Sequence, residues 1–183
     1  SLQTWQETLV SAQVDGPTLT AAAAASCIPP AAKITLPPNF WYIGRALRLS
    51  LMGRISCVVT TPGTARFDVR TGGVTVFDTL ALNLNIVAKT NVPWWLTIDL
   101  TCRAIGNAAL TTLFGFAKFE SEAVVGAPLP TVGGNGVLNA PVATPAVGTG
   151  FDNTTANSID VFFTQTVATG SLTTHKFRVE SLN

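Results

Sequence analysis

The chain has 183 residues, of which 47% are hydrophobic and 11% charged, with a formal net charge of +1. Ordinary soluble domains carry about 25% charged residues. The composition therefore excludes wholesale disorder, which needs low hydrophobicity and high charge, and disfavours a basic nucleic-acid binder, which clusters Lys and Arg against phosphates.

In chain order, residues 1–42 carry Pro17, Pro29-Pro30, Pro37-Pro38 and the run Ala21 to Ala25. Proline pairs favour extended, unladdered backbone, so the segment is expected to be an arm lying across its own domain or a neighbour. Its first residues show no signal-peptide pattern, and Ser1 fits a cytosolically made product that has lost its initiator methionine. From Arg45 onward, period-two alternation dominates, and the 26 threonines suit half-buried pleated surfaces. Leu47, Leu49, Leu51, Ile55, Cys57 and Val59 share one parity, with Arg48, Ser50, Arg54 and Ser56 on the other. This predicts a long strand, or a strand bent at Gly53, with one face buried.

Further strands are expected at Phe67–Val69, Val74–Phe77 and Leu82–Ile86, then at 94–102 with Pro93 opening it. Thr111 to Val125 is apolar on both parities in its first half, which predicts a strand covered on both sides. Stripes at Ile159–Val167 and His175–Val179 complete about eight strands. No stretch has a convincing helical period, and none approaches the roughly 20 apolar residues of a membrane-spanning helix. The reading is an all-β jelly-roll or Greek-key sandwich over residues 43–183. Residues 123–151 contain no charge and are expected as a long loop packed on another surface. So few charges protect a free monomer poorly against self-association, and part of the surface is expected to be covered by copies or by a partner.

Chemistry is sparse. Cys27, Cys57 and Cys102 form no metal or disulfide spacing and read as small buried hydrophobes. The single histidine, His175, shares parity with Phe177 and Val179 and is expected to face inward; no GxSxG elbow supplies a nucleophile for it. Glu120 and Glu122 lie on one strand face and do not flank a bond, as a glycosidase pair must. Asp152-Asn153-Thr154-Thr155 reads as a turn, and no glycine run forms a phosphate cradle. No cofactor, metal site or catalytic residue is predicted, and the chain is expected not to be an enzyme.

The aromatics carry more. Trp94 and Trp95 must point to opposite faces of one strand; one fills the core and the other lies outward. Phe40-Trp41-Tyr42 sits at the junction of arm and sandwich. Outward Trp and Tyr are enriched at interfaces. The expected contact residues are Trp5, Phe40, Trp41, Tyr42, Trp94, Trp95, Val132, Val137 and Leu138.

Four stretches extend this reading: Thr4 to Gly16, Ile43 to Leu49, Phe151 to Val161, and Glu180 to Asn183. Together they resemble jelly-roll structural proteins of tailed-bacteriophage particles, including head decoration (cement) proteins and minor virion components. The resemblance implies a non-enzymatic virion protein at the particle surface, homo-oligomeric and trimeric in that family's manner, with the major capsid protein or other virion proteins as partners, and with no nucleic acid or membrane. A capsid decoration protein is its first implication. A receptor- or glycan-binding module of a tail fibre or spike is the alternative, marked by a concave aromatic site with polar neighbours.

Overall fold

The structure, a computed structural model, describes residues 6–58, 61–125 and 136–183. Trp5 and Val132 lie outside the described residues. Among the described residues there are twelve strands and one short 3-10 turn, Pro30–Ala32. The strands are β1 (Glu7–Ser11), β2 (Ala25–Ser26), β3 (Ile34–Leu36), β4 (Ala46–Cys57), β5 (Thr64–Thr71) and β6 (Val74–Asp78). They continue with β7 (Leu82–Asn83), β8 (Lys89–Ala104), β9 (Thr112–Ser121), β10 (Val137–Ala140), β11 (Asn157–Gln165) and β12 (Ser171–Ser181).

Two antiparallel sheets form a sandwich. Sheet A has the order β1-β12-β4-β8-β9-β10; sheet B has β2-β11-β5-β6, with β3 also on β11 and β7 on β5. The eight strands visible in the alternation are β4 to β9, β11 and β12. The other four come from the two segments outside that pattern. β1, β2 and β3 belong to the segment expected as an arm, which from residue 6 lies along its own sandwich: β1 pairs with β12, and β2 and β3 pair with β11. Cys27 and Ile28 of this segment are in the core. β10 belongs to the stretch expected as a long loop, and the same stretch returns to β9 through bridges at Val147 and Phe151.

The core follows from alternation plus register. Across sheet A one inward row reads Phe177, Leu51, Leu96, Phe119, Leu138, and the next reads Val179, Leu49, Ile98, Ala117, Ala140. Trp94 is fully buried; its ring lies 5.9 Å from Phe119 in a stacked pair and 5.5 Å from Phe67, which itself lies 5.2 Å from Phe163 of sheet B. Each such ring removed from water contributes about 1.5–3 kcal/mol.

Two expectations from parity are corrected. His175 does not face inward: a bulge between Thr174 and Lys176 drops it out of the alternation. It is exposed, with Nδ1 2.9 Å from Asp15 Oδ1. The bulge explains Gly53 opposite, because a Cβ there would sit 1.9 Å from the Thr173 carbonyl oxygen. Nor is β9 covered on both sides. Its second apolar parity is Phe114 and Phe116, which face outward; Arg103 lies 5.0 Å over the Phe114 ring, while Phe116 remains 53% exposed.

Candidate binding face around Trp95

The outward rows of sheet A assemble residues far apart in sequence. One row is Lys176, Met52, Trp95, Glu120, Val137; the next is Arg178, Ser50, Thr97, Lys118, Asn139. Trp95 is thus at the centre of the sheet, 43% exposed, with Met52 and Glu120 as cross-strand neighbours. Neighbouring strands lie about 4.8 Å apart, so these side chains touch one common surface patch.

Two shallow hollows flank the indole. One, of about 280 Å³, is lined by Trp95, Thr97, Lys118 and Glu120. The other, also about 280 Å³, is lined by Pro93, Trp95, Glu120, Ser121, Glu122, Val137 of β10 and Gly136 just before it. Its floor is fixed by hydrogen bonds. Ser121 Oγ donates to the Pro93 carbonyl (3.0 Å), accepts from the Ala123 amide (3.1 Å), and the Ser121 amide donates to the Gly136 carbonyl (2.7 Å). Gly136 has φ of +73°, and a Cβ there would come within 2.9 Å of the Ser121 carbonyl oxygen. Pro93 fits inside β8 because it lies one residue outside the β8–β9 ladder, which starts at the Trp94–Ser121 pair, so no ladder partner on that side calls for the N–H it lacks.

Three ion pairs lie on the face, and Arg54 and Lys176 stand apart from them. Lys118 pairs with Glu120, Lys89 Nζ lies 3.0 Å from Glu122 Oε2, and Arg48 binds Asp99 through both carboxylate oxygens at 2.7 and 2.9 Å. The Asp99 bond raises the Arg48 pKa above its usual value. The face therefore offers an apolar plate rimmed by hydroxyl, amide and ion-paired groups. It contains no nucleophile–base pair, and among the described residues no three His, Cys, Asp or Glu side chains are placed to hold a metal ion.

The other expected contact residues are placed elsewhere. Trp41 is buried at 2% exposure and clamped by Asn153, whose Oδ1 accepts from the Trp41 amide (3.1 Å) and whose Nδ2 donates to the Trp41 carbonyl (3.0 Å). Trp94 is buried as described, so neither of these rings is presented to a partner. Phe40 is half-buried beneath the Arg45 guanidinium, 3.7 Å from the ring, and Leu138 points to the inner face. Tyr42 is exposed, as is Ile43, at the end of the sandwich opposite the Pro93 hollow along β8. Of the expected residues that are described, only Trp95 and Val137 meet in one site. Thr97, Lys118, Glu120 and Asn139 were not expected there; the parity of Trp95 with Thr97 was the available signal, but the β8–β9–β10 register was not.

The Asp152 turn is a local device. Its carboxylate accepts from the Thr154 amide (2.8 Å) and hydroxyl (2.6 Å), which lowers its pKa. Burial raises the thiol pKa of all three cysteines, with Cys27 pushed up to about 12.

No family model matches the sequence, and no curated protein is similar to it. Among solved structures, the CBM2 module of the evolved Dit of Lactobacillus casei BL23 phage J-1 is similar to it at 10% identity and a TM-score of 0.36, covering 100% of this chain and 99% of that one. A likeness of that size carries no functional argument.

Proposed function

We propose that this protein is a non-enzymatic binding module of a bacteriophage particle, tail-borne, that holds a host-surface glycan against Trp95. The observation that supports it is the half-exposed indole at the centre of sheet A, set in a hollow with Thr97, Lys118 and Glu120. An aromatic face stacks on the C–H face of a pyranose, and the polar rim supplies hydrogen bonds that orient the ring's hydroxyls. The phage context rests on the sequence resemblance. A glycan array read with the full chain and with Trp95→Ala tests the reading. Hits on the native chain that vanish in the variant, at unchanged melting temperature, are expected; no hits, or hits indifferent to the substitution, overturn it.

Head decoration, the first implication of the sequence, would be carried by other residues: the exposed apolar side chains Tyr42, Ile43, Leu110 and Phe116. Co-sedimentation of the purified chain with empty heads that survives Trp95→Ala and is lost in Phe116→Ser would favour it.

A further inference from the structure

We infer that the face takes an uncharged oligosaccharide chain in two adjoining subsites, one on each side of Trp95; this rests on the glycan-binding reading above. The two hollows share Trp95 and Glu120 as common walls. They therefore form one trough that follows β8 from Thr97 to Pro93. Four residue steps at about 3.4 Å each make it roughly 14 Å long, more than a single pyranose can fill. The far subsite has a rigid floor, since Ser121 is tied to Pro93, Ala123 and Gly136 at once. A ligand spanning the trough gains its second set of contacts without a second association cost.

The charges select the ligand class. The charged side chains lining the two hollows are Lys118, Glu120 and Glu122, with Lys118 paired to Glu120 and Glu122 to Lys89, while Arg54, opposite Pro93, and Lys176, in the Trp95 row, stand outside both hollows. An acidic sugar would have to strip Lys118 from Glu120 and then lie against both glutamates. A neutral sugar accepts from the lysine and donates to the carboxylate without breaking either pair.

The test is calorimetric titration of the full chain with size-graded neutral ladders, α-glucan, β-glucan, galactan and rhamnan fragments of one to six units, beside sialylated and uronate oligosaccharides. The expected result is a neutral ladder whose affinity rises about tenfold or more between one and three units and then levels off. Val137→Phe, which narrows the far hollow, should bring the three-unit affinity down to that of one unit. Binding of equal strength at every length, or tighter binding of an acidic oligosaccharide, overturns the two-subsite inference and leaves the Trp95 reading standing. No binding in any ladder overturns both.

Discussion

The outer faces of the two sheets are built by the same alternation, and each carries an aromatic ring at its centre. On sheet B it is Phe162. The Arg70 guanidinium lies 3.7 Å over that ring while its Nε bonds Asp68 at 2.6 Å. Around it, Lys33 pairs with Asp160 at 2.7 Å, Ser26 Oγ donates to the same carboxylate at 2.6 Å, and Arg66 pairs with Asp78. On sheet A the ring is Trp95, and its charged neighbours pair with one another beside it. Ion pairs formed over an aromatic seal a face; ion pairs formed alongside leave it open. Register is alike on the two faces, with Asp68 opposite Phe162 and Glu120 opposite Trp95, each two residues from its cation on the same strand; the difference lies in the cation, because the planar guanidinium of Arg70 stacks over its ring while it holds Asp68.

The contrast can be broken first at the tryptophan pair. Trp94→Ala empties a packed site between the sheets and should cost about 4 kcal/mol, or roughly 12 °C in melting temperature. Trp95→Ala, one residue on, should change stability by no more than about 0.5 kcal/mol. Differential scanning calorimetry of both variants checks this; equal losses would mean that the outer indole is part of the core. Next comes Arg70→Ala, which uncovers Phe162 and leaves the buried Asp68 carboxylate without its cation. A loss of about 2 kcal/mol is expected in urea unfolding, against less than about 1 kcal/mol for Arg48→Ala on the open face, where the Asp99 pair is solvent-exposed.

The smallest effect concerns Cys27, in the segment that closes the edge of sheet B. Its folded-state pKa of about 12 lies above the ordinary 9.0. The folded chain holds that proton more tightly, so the associated stabilisation is complete below about pH 9 and declines as pH rises from there toward 12. The expected readout is no iodoacetamide labelling of Cys27 in the native chain at pH 9 and full labelling in denaturant. Prompt native labelling would show that the segment opens.

The sandwich was legible because its eight main strands alternate over long runs, as at Leu47 to Leu51 and Leu96 to Cys102. β2 is two residues long, and β1, β3 and β10 are three to five; such strands exist through pairing with distant partners and leave little local pattern. His175 was misread because a bulge shifts parity by one, and the glycine that permits it lies on another strand. Phe114 and Phe116 were read as covered because apolarity on both parities usually means burial. Trp95 was legible as one of a pair that must split between faces. Its hollow was not, because Lys118 and Glu120 join it only through a register that no alternation encodes.

The pairing of β1 with β12 sets Glu7 beside Ser181 and continues past the strand, with Ala12 bonded to Phe177, Gly16 to Thr174 and Leu19 to Leu172. The two ends of the described chain thus leave the sandwich side by side. Tension applied between them would load this ladder one rung at a time, as a zipper, and not all rungs together in shear. A particle that tethered the module by both ends would therefore feel a weak mechanical fuse at its attachment point, while a load entering through the Trp95 face would meet the wide central ladders of β4, β8 and β9.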